Sequence, residues 1–183
     1  MAYNISYGPK VNGAEVVSLA LAKQNSKIES GDEDSLLQVF LDASIMEAER
    51  YIDSPLLEKQ ALISYSGWQD MIIIPIGPIQ EFTDVKYYDE LGSEQTLPSS
   101  SYRFDKNTGQ LLFKLDEYPE LEPNNAFPIT LECTAGYKNA EMPDVAKSAV
   151  LLMFSFKEMY REDIPNSYMR TFYNALKTLK VWG

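Results

Sequence analysis

The spacing of apolar residues predicts two helices in the first third of the chain. A short helix is expected from Glu15 to about Lys23, and the polar stretch 24–34 that follows is typical of a loop. From Ser35 to about Asp53, apolar residues return at helical spacing, which indicates a long amphipathic helix. Its apolar face consists of Leu37, Phe40, Leu41, Ala48, Tyr51 and Ile52.

After this helix the apolar period changes to two, which is typical of strands. Turn signals lie between several of the strand candidates, at Asp89–Gly92 and Asp105–Gly109, and they favour hairpins and an antiparallel sheet. The acidic, proline-rich stretch Glu117–Pro128 is predicted to be an exposed loop. The predicted strands are Gln60–Tyr65, Met71–Ile74, Val85–Tyr88, Gln95–Leu97, Tyr102–Phe104, Leu111–Phe113 and Ile129–Cys133.

Helical spacing returns in the last quarter of the chain. Pro143 followed by Asp144 is a favourable helix start, and we expect this helix to end near Asp163. A last helix should begin at Pro165. The apolar face of the first of these helices consists of Val145, Ala149, Leu152, Met153, Phe156 and Tyr160, and that of the second of Met169, Phe172, Tyr173, Leu176 and Leu179.

The order of elements predicts an α+β fold, in which N- and C-terminal helices pack together and a small antiparallel β-sheet domain is inserted between them. The predicted parts are a helical part at 1–59, the β insert at 60–137 and a second helical part at 138–183, forming one structural unit with an insert. The sequence shows neither an internal repeat nor the strand–helix alternation of parallel sheets.

Composition restricts the chemistry that the chain can perform. It has no histidine and a single cysteine, Cys133, which lies in an alternating apolar strand and is predicted to be buried. Phosphate-binding glycine motifs are also missing. We therefore predict no catalytic residue, no cofactor and no metal site.

Charge and hydropathy restrict the partners. The 27 acidic residues exceed the 16 basic ones and give a net charge of −11, so the surface as a whole repels phosphate and sequence-specific nucleic-acid binding is not expected. No apolar run is long enough to cross a membrane and the first ten residues lack an apolar signal core, which predicts a cytoplasmic protein without a membrane partner.

Two features leave other functions open. The acidic clusters Asp32–Asp34 and Glu47–Ala48–Glu49 match no established ligand spacing, and we interpret the first as a helix cap and the second as a solvated helix face. A carboxylate-based hydrolase would instead need two buried acids with raised pKa values. The 12 tyrosines, several of them in the predicted strands, would suit a small carbohydrate-binding or tail-fibre type module, but we favour packing, because aromatic residues are common in strands for that reason.

Several segments, in order and spacing, resemble the bacteriophage head–tail connector family, whose members are also described as head-completion, adaptor or DNA-packaging proteins. The resemblance covers roughly residues 15–165. Its N-terminal segments are Val17–Lys23, Asp34 with the long helix, Trp68, Ile74–Gln80 and Val85–Gly92, and its C-terminal segments are Thr134–Tyr137, Met142–Pro143 and Ala146–Glu162.

The resemblance implies a structural protein that is not an enzyme. Copies would form a ring that docks on the portal protein, extends the DNA channel and supports a stopper or tail-completion protein. The chain would then reside in the virion neck, after assembly in the host bacterial cytoplasm. DNA would pass through the channel without being read.

The C-terminal helix is the candidate partner interface. Its apolar face is too large to remain solvated on an isolated helix, so it must pack either on its own subunit or on a partner. The candidate interface residues are Met169, Phe172, Tyr173, Leu176 and Trp182, the last as an aromatic anchor.

Overall fold

A computed structural model of the chain describes residues 2–10, 15–114, 116–138 and 141–180. The chain divides into two compact units, each with its own apolar core. Residues 1–12 and 58–136 form the β unit, and residues 13–57 and 137–183 form the helical unit. The chain therefore leaves the helical unit once, builds most of the β unit, and returns.

The described part of the β unit contains two antiparallel sheets where the sequence predicted one. The first sheet has five strands in the order β1-β2-β8-β4-β5, and the second has three in the order β3-β7-β6. Strand β8 lies at the centre of the first sheet and pairs with β2 and β4. The strands are β1 Tyr3–Lys10, β2 Lys59–Tyr65, β3 Met71–Ile73, β4 Ile79–Tyr88, β5 Glu94–Thr96, β6 Tyr102–Asp105, β7 Gln110–Phe113 and β8 Ile129–Ala135.

The core of the β unit follows the predicted alternation. On β8, Ile129, Leu131 and Cys133 are buried, while the residues between them are half-exposed. The same pattern on β2 buries Ile63 between flanking polar or exposed positions, because successive side chains of a strand point to opposite faces.

Strand β1 is the main element that the sequence analysis did not predict. Residues 1–59 were expected to be helical or irregular, yet Tyr3–Lys10 forms the edge strand of the larger sheet and belongs to the β unit. It pairs with β2 in a register that places Ile5 opposite Ile63. Pro9 is compatible with this position because an edge strand has one side without ladder bonds.

Within the described ranges, the helical unit contains four α-helices. They are α1 Leu19–Asn25, α2 Asp34–Ile52, α3 Asp144–Met159 and α4 Asn166–Leu176, and a single 3₁₀ turn, Lys177–Leu179, continues α4. α2 packs against α3, and α3 packs against α4. Helices from both ends of the chain thus share one core, and the predicted α+β class is confirmed. No helix within the described ranges is both long and apolar enough to cross a membrane.

Two helix boundaries differ from the prediction for local reasons. α1 begins at Leu19 and not at Glu15, because the Ser18 side chain accepts a hydrogen bond from the Leu21 N–H (3.2 Å) and caps the helix there. α3 ends at Met159, four residues before the predicted end at Asp163.

We predict that Phe172→Ala strongly destabilises the helical unit. The Phe172 side chain is fully buried in that unit's core, and truncating a buried phenylalanine costs about 3–5 kcal/mol. Chemical denaturation measures the loss. Asn174→Ala on the same helix is the control, since Asn174 is exposed and its replacement should change stability by less than about 0.5 kcal/mol. Equal midpoints for the two variants would show that α4 does not pack on the core.

Candidate functional site

The structure divides the candidate interface residues of α4 into two groups. Phe172 and Leu176 are fully buried in the core of their own helical unit, so they have no surface to offer a partner. Met169 and Tyr173 are half-buried against the same core. Trp182 lies outside the described residues. The apolar face of α4 therefore packs mainly on its own subunit.

Tyr173 connects α4 to α2 through a hydrogen-bond network. Its hydroxyl donates to Glu47 Oε1 (2.7 Å), and Arg50 Nη2 donates to both Glu47 oxygens (2.7 and 2.9 Å). The Tyr173 ring also stacks on Tyr51, with 4.6 Å between ring centroids. Donating to Glu47 favours the neutral phenol and raises the pKa of Tyr173.

A shallow depression of about 220 Å³ lies beside this network. Lys180 Nζ is 5.5 Å from the centroid of the Tyr51 ring and 3.7 Å from Asp53 Oδ2. Each charge in the depression therefore has a partner of opposite sign: Glu47 with Arg50, and Asp53 with Lys180. The arrangement joins α2 to the chain after α4 and leaves no unpaired charge for a ligand.

The first acidic cluster holds the start of α2 in place. α2 begins at Asp34, and its N-cap residue, Glu33, makes no side-chain cap hydrogen bond. Glu33 instead forms a bidentate pair with Arg161 (3.0 and 2.7 Å), and Asp34 forms an ion pair with Lys23. The cluster therefore lies at the start of α2, where the helix-cap interpretation places it, but without a side-chain cap hydrogen bond. The carboxylates near the positive end of the helix are held by cations from other elements.

The second acidic cluster is not the solvated face that the sequence suggested. Ala48 is fully buried, Glu47 binds Tyr173 and Arg50, and Glu49 Oε1 accepts a hydrogen bond from the Leu56 N–H (3.0 Å). The helical period explains the difference, because residues on either side of a buried position lie along the border of the core. These carboxylates hold neighbouring elements together.

The carboxylates with shifted pKa values do not resemble a catalytic pair. The hydrogen bond and the attraction from Arg161 lower the pKa of Glu33. Burial alone would raise the pKa of Glu47, but the bonds from Tyr173 and Arg50 together outweigh it and the net pKa is lowered. Local hydrogen bonds in turns lower the pKa of Asp89 and Asp105. A hydrolytic acid requires the opposite shift, so these groups give the hydrolase alternative no support.

The aromatic residues of the β unit pack on one another. Trp68 stacks on Tyr118 (5.6 Å between centroids), and its indole N–H donates to the Pro119 carbonyl (2.9 Å). The Tyr118 hydroxyl donates to Asp70 (2.9 Å). This cluster fastens the acidic, proline-rich loop to the sheets. The tyrosines thus have structural contacts, as the packing interpretation predicts.

Cys133 provides no reactive thiol, and the described residues provide no cluster of metal ligands. Cys133 is buried as predicted, and burial raises the pKa of its thiol to about 12. The protonated thiol is a poor nucleophile and a poor metal ligand. Over the part of the chain that the structure describes, no group of three or more His, Cys, Asp or Glu residues could hold a metal ion.

The sequence analysis missed an apolar feature on the outside of α2. Leu36, Val39 and Met46 are exposed, with 39, 59 and 68 % of their surface accessible. They share one helix face with Ala43, at the 3-4-3 spacing of a helix that packs against a second surface. The spacing can be read from the sequence, but the more regular core stripe of the same helix drew attention away from it.

Comparison with solved structures finds the same fold in chains from the neck and the virion of gene transfer agent particles. The chain matches a chain from the neck of an empty particle with C6 symmetry at a TM-score of 0.73 and 18% identity, covering 100% of this chain and 97% of the other. A chain from the virion of the native particle matches at a TM-score of 0.72 and 18% identity, with the same two coverages. A chain from the neck of the native particle with C12 symmetry matches at 0.68 and 19% identity, again with the same coverages.

The sequence itself matches no protein-family model and no curated protein. At this identity the structural likeness establishes the fold. That fold agrees with the head–tail connector resemblance found in the sequence, and because the match extends over both chains almost completely, it includes the β unit and the helical unit together.

We predict that stability falls as the pH drops below about 4.5, and that part of the loss depends on Glu33 and Glu47. Both have lowered pKa values in the folded chain, so each contributes stability above its unfolded pKa and loses it as the pH falls through its folded pKa. Glu33→Gln and Glu47→Gln should each flatten the dependence of the denaturation midpoint on pH between 7 and 3.

Glu29→Gln is the matched control, because Glu29 is an exposed carboxylate in the loop before α2. Its profile should match that of the wild-type chain. If the Glu33 and Glu47 variants also matched the wild type, their paired contacts would not contribute to the acid sensitivity of the chain.

Proposed function

We propose that the chain is a structural subunit of the neck of a phage or phage-like particle. The observation that supports this most is the likeness to neck chains over the full length of the chain, with a TM-score of 0.73. The connector resemblance of residues 15–165 supports the same function independently, because it rests on sequence segments and not on the fold.

In this proposal, copies of the chain form a ring. Two of the similar structures belong to necks solved with C6 and C12 symmetry, which supports a ring assembly for this chain as well. The ring docks on the portal protein, extends the DNA channel and supports a stopper or tail-completion protein. The chain acts in the virion neck, after assembly in the bacterial cytoplasm.

The contacts of the charged groups and of the thiol suit a structural subunit that catalyses no reaction. The charged groups around Glu47 and Glu33 are satisfied by neighbouring side chains, and the thiol of Cys133 is buried and protonated. A net charge of −11 would also prevent DNA from adhering to a channel lined by such a surface. We therefore propose a mechanical function in which rigid units and their surfaces matter.

For partner contact at the end of the chain, the proposal retains Met169, Tyr173 and Trp182. Phe172 and Leu176 are omitted because the core of the helical unit covers them. The segment from residue 164 to the end has no acidic residue and contains Arg170, Lys177 and Lys180. In an acidic chain, such a segment favours contact with an acidic protein surface.

Association in solution tests the ring. We expect the purified chain to be mostly monomeric when dilute, and to form rings at high concentration or on portal-bearing particles, because a ring interface is completed only when many copies close together. Analytical ultracentrifugation and electron microscopy measure both states. A stable two-fold dimer at submicromolar concentration would contradict the proposal.

Trp182→Ala tests the partner contact at the C terminus. Aromatic anchors contribute much of the binding energy of an interface, so the variant should join portal-bearing heads poorly and leave particles without tails. Its unfolding midpoint should equal that of the wild-type chain. Leu91→Ala, which alters an apolar residue that is 90% exposed, is the control and should assemble normally. Normal tailed particles from Trp182→Ala would exclude the anchor.

A further inference from the structure

Helix α2 has apolar residues on two opposite faces. One face contains Leu37, Leu41 and Ala48, which are buried in the helical unit. At about 100° per residue, the exposed Leu36, Val39 and Met46 project from the opposite side together with the half-buried Ala43. The second face, here called the α2 stripe, extends roughly 15 Å along the helix. A surface helix that lacks a partner normally has polar residues there.

The three-stranded sheet of the β unit also exposes an apolar patch. Its inward residues, Ile72 and Leu111, are buried, and the alternation of the strands places Met71, Ile73 and Leu112 on the outer face. Met71 lies directly opposite Leu112 in the strand register, so the two side chains are cross-strand neighbours. These three residues, here called the sheet patch, are each about 40% exposed.

The exposed charges nearest the middle of the two surfaces have opposite signs. Two further charges, Arg50 one turn after Met46 and Asp105 two residues after Arg103, already have partners in Glu47 and Thr108. Asp42, one turn from Val39 and Met46, is exposed at the border of the α2 stripe. Arg103 lies opposite Leu112 in the register of β6 and β7 and is exposed beside the sheet patch. Lys114 follows Leu112 by two residues and is also exposed. In a chain of net charge −11, two exposed basic side chains beside one apolar patch are a distinctive feature.

We infer that the α2 stripe of one copy packs on the sheet patch of the next copy in the ring. The inference rests on the proposed function, to which it adds the two contact surfaces. Complementary borders would bring Asp42 of one copy toward Arg103 or Lys114 of its neighbour, whereas contact between two α2 stripes would bring two Asp42 side chains together. Because the two surfaces differ, the contact is head-to-tail, which is the type that closes into rings.

Cross-linking between single-cysteine variants tests this geometry. Val39→Cys and Leu112→Cys place thiols on the two surfaces, and the native Cys133 is buried. Wild-type rings are first obtained at high concentration or on portal-bearing particles. The two variants are then mixed, assembled under the same conditions and treated with a short bis-maleimide. We expect products that join a Val39→Cys chain to a Leu112→Cys chain, and little product from either variant alone.

The outcomes separate this inference from the proposed function. Rings that form without the mixed product would overturn the two contact surfaces and leave the ring intact. Products from Val39→Cys alone would show a two-fold contact through α2 and would also overturn the inference. If the wild-type chain forms no ring under any of these conditions, the proposed function fails, and the inference fails with it.

Charge and apolar substitutions provide a second measurement. Met46→Asp should raise the concentration needed for half-maximal assembly by about tenfold or more without lowering the unfolding midpoint, because Met46 is 68% exposed in the isolated chain. Leu91→Asp is the matched control. Asp42→Lys should weaken assembly, and adding Lys114→Glu to the same chain should restore it. If the double variant assembles no better than Asp42→Lys alone, the proposed pairing of Asp42 with Lys114 across the contact is wrong.

Discussion

The pairing of β2 with β8 is the constraint on which both units depend. The chain leaves the helical unit after Leu57 and returns at Tyr137, and these two residues form a parallel bridge. The Tyr137 N–H donates to the Leu56 carbonyl (3.0 Å), and Lys59 lies opposite Ala135 in the adjacent sheet. The β2–β8 pairing brings the two ends of the inserted segment 58–136 together. Its backbone hydrogen bonds offset the loop-closure entropy that is lost when α2 and α3 meet. The helical core forms from two distant segments for this reason.

Within the units, the polar chemistry supports the framework. Glu33 binds Arg161. Glu47 accepts a hydrogen bond from Tyr173 and pairs with Arg50. Glu49 accepts a hydrogen bond from the Leu56 N–H. Trp68 and Tyr118 hold a loop against the sheets. These contacts give the clustered carboxylates and the indole N–H partners within their own unit. The exposed apolar residues on the outer faces of α2 and of the smaller sheet are therefore the surfaces that we propose for partner contact.

The sequence predicted the parts of the fold that are governed by local periodicity. The stripe of α2, the helix start at Pro143 and the buried alternation around Leu131 are all local patterns, and the structure contains them. Strand β1 was missed because its assignment depends on pairing with β2, whose partner residues are 49 to 62 positions away, and because Gly8 and Pro9 weaken the local strand signal. The division of the strands between two sheets is likewise a property of long-range pairing.

The candidate interface was harder to predict, since helical spacing shows that a face is buried but not what buries it. Phe172 and Leu176 fit a partner interface and an internal core equally well until the position of α3 is known. The exposed side of α2 was overlooked for the opposite reason. A helix with apolar residues on both sides has a weaker contrast between its faces, and the more regular stripe of Leu37 and Leu41 dominates the pattern.

The split helical unit also affects events on the ribosome. α2 is complete after Ile52, but α3, against which it packs, begins only at Asp144. At a synthesis rate of 5–20 residues per second, the core-facing side of α2 waits about 5–20 s for α3 in the nascent chain. The strands of the β unit emerge during this interval, so that unit can fold first. The α2 stripe that we propose as a contact with other copies is thus presented on a folded helical unit only after α3 has been synthesised.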